Sequence, residues 1–430
     1  MSGSPPGGLA QALASLSCSV DAAVHDLTRM IAIDTSFPPG KGYGRFAALM
    51  EQLVAPLGFH CRKILVPREL WEAGDGSATG DRINLVAERR TGKPACCLYF
   101  HVDTVPAGPN WSRAPLILER EGRRLYGLGA ADMKGAMAAV LLALNTAYTA
   151  EVPLAYDPML LFCTDEEGGL YPGIRYLAEQ GFPLGHVLSF NGTAAPRIWA
   201  GCFGSINLVI RVHGSAAHAG DAAGINAFEA ALPVMNALVA LKCRVASRRS
   251  SLPPPPRAAP LAARLTLAAA HGGASGGTVP SRFDMLVNRR YAPEESFEEV
   301  IGEIRESAET SLADRGARLE TMLVGHLPPV VDPVGPHWPR WQHALSNGFG
   351  WSPQEFLAWG ATSSSDFGWV QRAGWREILL GGLGRPERNV HAAEEHTTVE
   401  DIVALATSVL SYLSAEFRSD IIPETAGSAS

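Results

Sequence analysis

Residues 160–169 read LLFCTDEEGG. An apolar run of strand length stops abruptly in three consecutive acids and two glycines. Carboxylates crowded at the end of a buried strand repel one another and lose hydration, at a cost of several kcal/mol unless something positive balances them. A bound metal ion is one such partner.

Outward from this strand the same pattern recurs. RINLVAER (82–89) and ACCLYFHVD (95–103) are short apolar runs bounded by turn residues, while SVDAAVHDLTRMIAID (19–34) and GRFAALMEQLVAPLG (44–58) carry apolar residues at helical spacing. This alternation predicts an α/β fold, a mostly parallel sheet flanked by helices, in which ligand chemistry collects at strand carboxyl ends. From about residue 203 the order changes to strand, helix, two strands, helix, strand, running from SINLVIRVHG to ARLETMLVGH (205–326). That is the element order of a ferredoxin-like βαββαβ unit, and it reads as an insertion. We therefore expect a first catalytic segment at 1–200, an inserted unit at 201–325 and a second catalytic segment at 326–430.

The whole-chain numbers narrow the function classes. With 430 residues, 47% hydrophobic content and a formal charge of -7, the composition is that of a globular protein with no general attraction to nucleic acid or anionic membranes. No apolar run reaches membrane-spanning length, and the first twenty residues lack the basic and apolar regions of a secretory signal. Seven cysteines without zinc-ribbon spacing point to reduced thiols, and a cytoplasmic location is the expectation.

Four further segments bear on the acids of 165–167. LYFHVDTVPAG (98–108) delivers His101 and Asp103 to a strand end, two residues apart and so on one face. LYGLGAADMKGAMAAVLLAL (125–144) places Asp132 in a glycine-flanked turn before a helix, and RNVHAAEEHTTVED (388–401) places His391 ahead of the last helix. Taken singly, a His-x-Asp pair, a helix-capping Asp or an arginine-paired Glu has a structural explanation. Together, imidazole with carboxylates is the donor mix of zinc, manganese or cobalt.

These segments resemble the aminoacylase, glutamate carboxypeptidase and succinyl-diaminopimelate desuccinylase family, metallopeptidase family twenty. The resemblance runs through HVDTVP, GLGAADMKG, DEEGG, VHGSAAHAG, NRRYAP, the Ser365-Asp366 step and NVHAAEEHTTVED. It implies a metal-dependent exopeptidase type of fold whose inserted unit serves as a lid and dimerisation surface. It implies that Asp132 bridges two ions, that Glu167 and His391 complete one site, and that His101 serves the other. Asp103 would hold His101 in place. Glu166 would be the general base. His218 would be the lid histidine, catalytic and substrate-binding, supplied by a second copy of the chain. Arg290, with Arg289 as competitor, would grip a substrate carboxylate. Histidines outside the motifs, His186, His213 and His326 among them, are expected to be structural.

Besides Leu128, where the resemblance implies an Arg, two ligand- or substrate-facing positions depart from the family pattern. Asn191, in VLSFNGTAAP, stands where the resemblance implies an acidic ligand, so one ion is expected to be tight and a second, at His101, weaker. Thr278 stands for the usual Asn before Val279-Pro280 at a substrate-binding position. The expected function is hydrolysis of a carbon-nitrogen bond in a small carboxylate-bearing substrate. The two departures resemble a branch of aminohydrolases that deaminate an aromatic amine such as 5-nitroanthranilate; conventional hydrolysis of N-acylamino acids or dipeptides, and a catalytically inactive metal-binding homologue, are the alternatives. A homodimer or higher oligomer built through the lid is expected.

Overall fold

The structure is a computed structural model, and it describes residues 8–72, 78–182, 185–221, 223–273, 275–312 and 316–416. Its central sheet has six strands. Five precede the insertion: β1 (His60–Leu65), β2 (Ile83–Glu88), β3 (Ala95–His101), β4 (Asp157–Cys163) and β5 (His186–Ser189). They lie in the order β1, β2, β4, β3, β5, and Ile378–Leu380 pairs with β5 at the far edge. β2 is antiparallel to both neighbours, whereas β3, β4, β5 and Ile378–Leu380 pair in parallel. The sheet is thus mostly parallel, as the alternation predicts.

Both faces of the sheet are covered, and the side-chain period of two explains the unbroken apolar runs. Cys96, Leu98 and Phe100 point into a core made with the helices Val20–Ile31, Lys134–Thr149, Trp338–Phe349 and Val399–Leu413. Cys97, Tyr99 and Cys163 point to the opposite face, against Ile174, Leu177 and Phe367. Phe100 stacks on Phe162 and Phe190, with ring centroids 5.2 Å apart in each pair, and burying each such ring contributes roughly 1.5–3 kcal/mol. No disulfide links the seven cysteines. No described helix is long and apolar enough to cross a membrane.

The inserted segment has its own sheet and core. β6 (Gly204–His213), β7 (Arg264–Gly272), β8 (Arg282–Tyr291) and β9 (Arg318–Leu327) form an antiparallel sheet in the order β7, β8, β6, β9. The helices Ala227–Val245 and Phe297–Ser311 pack on one face, burying Ile206, Leu208, Ile210, Val234, Leu238 and Ile304. The Asn226 side chain caps the first helix, and a Ser296-Glu299 capping box opens the second. The other face carries polar pairs, Arg211 with Asp284 at 2.8 Å and His213 with Glu320 at 2.7 Å.

A small sheet not anticipated from the sequence lies where this unit meets the rest. Arg197–Cys202 pairs antiparallel with Val330–Val331 and parallel with Leu357–Ala361, so the chain entering the insertion is tied to the chain leaving it.

Candidate metal centre

In the parallel pair β3 and β4, His101 lies opposite Cys163. Both strands therefore release their chains at the same edge, and His101–Asp103 emerges beside Asp165–Glu167. One ligand atom from each of His101, Asp132 and Glu167 lies within 4.8 Å of the others. Asp132 faces two imidazoles at once. Its Oδ1 is 3.0 Å from His101 Nε2 and its Oδ2 is 3.4 Å from His391 Nε2, while His391 Nε2 is 2.9 Å from Glu167 Oε1. One carboxylate oxygen is thus directed at each histidine. His391 has φ +62° and Asp165 has φ +54°, left-handed conformations that cost a non-glycine residue on the order of 1 kcal/mol or more.

The electrostatics call for positive charge. Burial opposes charge on His101, but its hydrogen bond with Asp132 and the nearby Glu166 and Asp103 carboxylates outweigh this and raise its pKa well above the ordinary value. Hydrogen bonds to Asp132 and Glu167 raise His391 to about 10. Burial works to raise Asp132, yet the two histidines hold it below the usual carboxylate range. A divalent cation satisfies the same demand with both imidazoles neutral, so the residues present fit a metal ion. Glu166 is half-buried, and burial followed by the charge of Asp366 raises its pKa well above the usual carboxylate range. Asp366 is itself buried and accepts the Tyr99 hydroxyl at 2.6 Å.

The supports of this cluster come from several segments. The His101 ring is oriented through the backbone carbonyl of Asp103, 3.0 Å from Nδ1, rather than through the Asp103 carboxylate, whose Oδ1 stands at 3.7 Å. That carboxylate accepts the Glu167 N–H at 2.8 Å, so Asp103 ties β3's end to β4's. Asp165 is fully enclosed, accepting from Arg82 Nε and from the Tyr43 hydroxyl, each at 2.6 Å. Both partners of Asp165 lie far away along the chain. Glu395, also unforeseen, is buried and accepts the backbone N–H groups of Gly129, Ala131 and Asp132 at 2.8, 2.9 and 3.0 Å. It fixes the turn that presents Asp132. Its only sequence signal is an acid four residues after His391.

The other candidates divide. Asn191 and Arg290 line the same cavity as Asp132, Glu166, Glu167 and His391, a space of about 710 Å³. Arg290 donates from Nη1 to the Ser364 hydroxyl. Arg289 does not qualify as a substrate contact. Its side chain is buried on the helix-covered face of β8 and pairs with Glu295, because neighbouring strand residues face opposite ways. His218 and Thr278 bridge one another on the exposed surface of the inserted unit, and neither lines the cavity of its own chain. His186, His213 and His326 lie outside the cluster and bond to Tyr412, Glu320 and Tyr291.

The model of the Peptidase family M20/M25/M40 matches residues 97–415. The succinyl-diaminopimelate desuccinylase of Xanthomonas euvesicatoria pv. vesicatoria (strain 85-10) is 29% identical over 369 residues, covering 82% of this chain and 92% of that protein. The protein of the same name from Gluconobacter oxydans (strain 621H) is 38% identical over 184 residues, 41% of this chain and 45% of its own. Human carnosine dipeptidase 1 superposes with a TM-score of 0.75 at 15% identity, covering 94% of this chain and 98% of that one. The dipeptidase Dug1p of Saccharomyces cerevisiae superposes with a TM-score of 0.77 at 14% identity, covering 94% and 97%. The two superpositions establish the fold. With most of its length matched and His101, Asp132 and Glu167 converging at the carboxyl edge of its sheet, the chain belongs to the Peptidase family M20/M25/M40 and is a metal-dependent hydrolase of carbon-nitrogen bonds.

Proposed function

We propose that the chain hydrolyses an amide bond of a small carboxylate-bearing substrate. Manganese, zinc or cobalt would be held tightly by Asp132, Glu167 and His391, and a second ion more weakly by His101, Asp132 and Asn191. The observation that carries this reading is the placement of Asp132 between His101 and His391, in one cavity with Glu166. A divalent ion bound there supplies Lewis acidity, polarising the scissile carbonyl and making water a better acid. Glu166 takes the proton of the attacking water and delivers it to the departing nitrogen, so water and amide become carboxylate and amine. Arg290 orients the substrate through its carboxylate. The inserted unit, proposed to span 201–325, would act as a lid and pair with a second copy of the chain, whose His218 would stabilise the developing oxyanion charge.

Amide hydrolysis is supported by the names of the relatives, desuccinylases and dipeptidases. A second reading, release of ammonia from an aromatic amine such as 5-nitroanthranilate, is favoured by Asn191, which puts an amide where the family resemblance implies an acid and which faces the cavity. The test is to measure carboxylate and ammonia release from two panels, N-acylamino acids with dipeptides and aminobenzoates, after adding manganese, zinc or cobalt. Turnover of the first panel that is abolished by a chelator and restored by metal is expected. Ammonia release from the second panel alone would establish the second reading, and turnover indifferent to chelator would overturn both.

A further inference from the structure

The cavity over the metal ligands has a cationic part with two anchors. Arg197, at the start of the strand Arg197–Cys202, and Arg290, from β8, both line it. Each is pinned to the segment that follows Leu357. Arg197 donates from Nε and Nη2 to the Trp359 carbonyl oxygen at 3.2 and 3.1 Å, with its guanidinium 5.3 Å from the Trp359 ring centroid, and Arg290 donates to Ser364. Neither forms an ion pair among the described residues. The contrast lies in the same structure. Arg385 also lines the cavity, but is gripped by both oxygens of Asp401 at 3.1 and 3.0 Å.

Two of Arg197's five N–H donors share the Trp359 carbonyl, which leaves the Nη1 end of the guanidinium without a hydrogen-bond partner among the described residues. Burial pulls its pKa down to about 10, so it remains charged at neutral pH. A half-buried cation with no acid paired to it among the described residues is unfavourable unless ligand oxygens complete it. Glu166, Arg197, Cys202 and Arg290 all line this one cavity. Trp199 and Tyr171 line the same space.

We propose that Arg197 is a second guanidinium subsite, so that the substrate presents two planar two-oxygen groups, one to Arg290 and one to Arg197. The planar guanidinium fork fits a carboxylate or a nitro group equally in shape. The proposal rests on the hydrolase reading for its reaction and narrows its substrates to molecules with an acidic or nitro group besides the first carboxylate.

The test is ligand binding by calorimetry on metal-free protein, independent of turnover. The probes are dicarboxylates from succinate to suberate, each against its monomethyl ester, and 3-nitrobenzoate against benzoate. In the wild type, at least one doubly substituted probe is expected to bind tenfold or more tighter than its singly substituted partner. Arg197→Met should reduce that advantage to within twofold, and Arg197→Lys should restore part of it for the dicarboxylates. Matching thermal midpoints check that the variants are folded. An advantage confined to the nitro pair would assign the subsite to nitro groups, and one confined to the dicarboxylates would assign it to carboxylates. No advantage in either series, or one that survives Arg197→Met, overturns the proposal. Absence of turnover on every substrate panel, with the binding advantage intact, would refute the hydrolase reading and leave the subsite standing.

Discussion

At the end of β4, Glu167 meets His391 while the neighbouring Glu166 lies in the field of Asp366. In the proposed mechanism the first holds an ion and the second moves a proton. Replacing Glu166 with Gln keeps the shape and removes the base. Steady-state kinetics with matched metal content should therefore show a loss in kcat of about 10²–10⁴, and undiminished turnover would remove Glu166 from the mechanism. Asn191 offers an uncharged oxygen where a carboxylate would bind a cation more strongly. Asn191→Asp should tighten the second equivalent of metal at least tenfold in a titration, with the first equivalent unchanged. At this scale the sequence was informative where a motif names one residue, as for His101, Asp132 and Glu167, which the fold brings together. It was ambiguous for Arg289 and Arg290, because only the strand's facing decides which of two adjacent arginines enters the core.

The elements around the site are held by two buried carboxylates. Glu395 brings the loop before Val399–Leu413 against the turn that carries Asp132, accepting three backbone N–H groups there. Glu395→Ala leaves those donors without acceptors and lets the Asp132 turn relax. Metal affinity is expected to fall roughly 10–100-fold, and an unchanged binding isotherm would show that the turn holds itself. Arg82 and Asp165 form a fully enclosed ion pair, with Arg82 also donating to the Thr79 carbonyl and lying 4.5 Å from the Trp71 ring centroid. Arg82→Met strands a buried carboxylate and should destabilise the fold by about 3–5 kcal/mol in urea denaturation. The helices and strands were legible from periodicity because burial imposes it on their side chains. These clamps were not, since each joins segments distant along the chain and leaves no local pattern. The short strand Arg197–Cys202 was missed for a related reason: its pairing partners lie after the insertion.

On the scale of the molecule, the catalytic part and the inserted unit each bury a histidine that is kept neutral. Burial, followed by the charges of His337 and Arg340, lowers His186 to about 3; burial, followed by Arg372 and Arg175, lowers His326 to about 3 as well. Both remain uncharged in the folded chain at pH values where the unfolded chain protonates them. Stability is therefore fully present above pH ~6.5 and is lost as pH falls from there toward about 3, by up to ~1.4 kcal/mol per pH unit for each histidine. Denaturation midpoints measured from pH 7 to pH 4 should show this slope, and His326→Gln should make it shallower. The α/β order and the βαββαβ insertion were readable in advance because each unit buries its own apolar faces. Whether a second copy of the chain brings His218 to the cavity is a property of an assembly, which the sequence of one chain expresses only through resemblance.

We propose that one cation is gripped jointly by Asp132, Glu167 and His391, side chains from three separate stretches, with Asp132 also facing His101. The most direct measurement is a calorimetric titration of metal-free protein with zinc, for the wild type and for Asp132→Asn. The account predicts at least one tight equivalent per chain in the wild type and a loss of a hundredfold or more in affinity in the folded variant. Equal affinity and stoichiometry in the two proteins would contradict it.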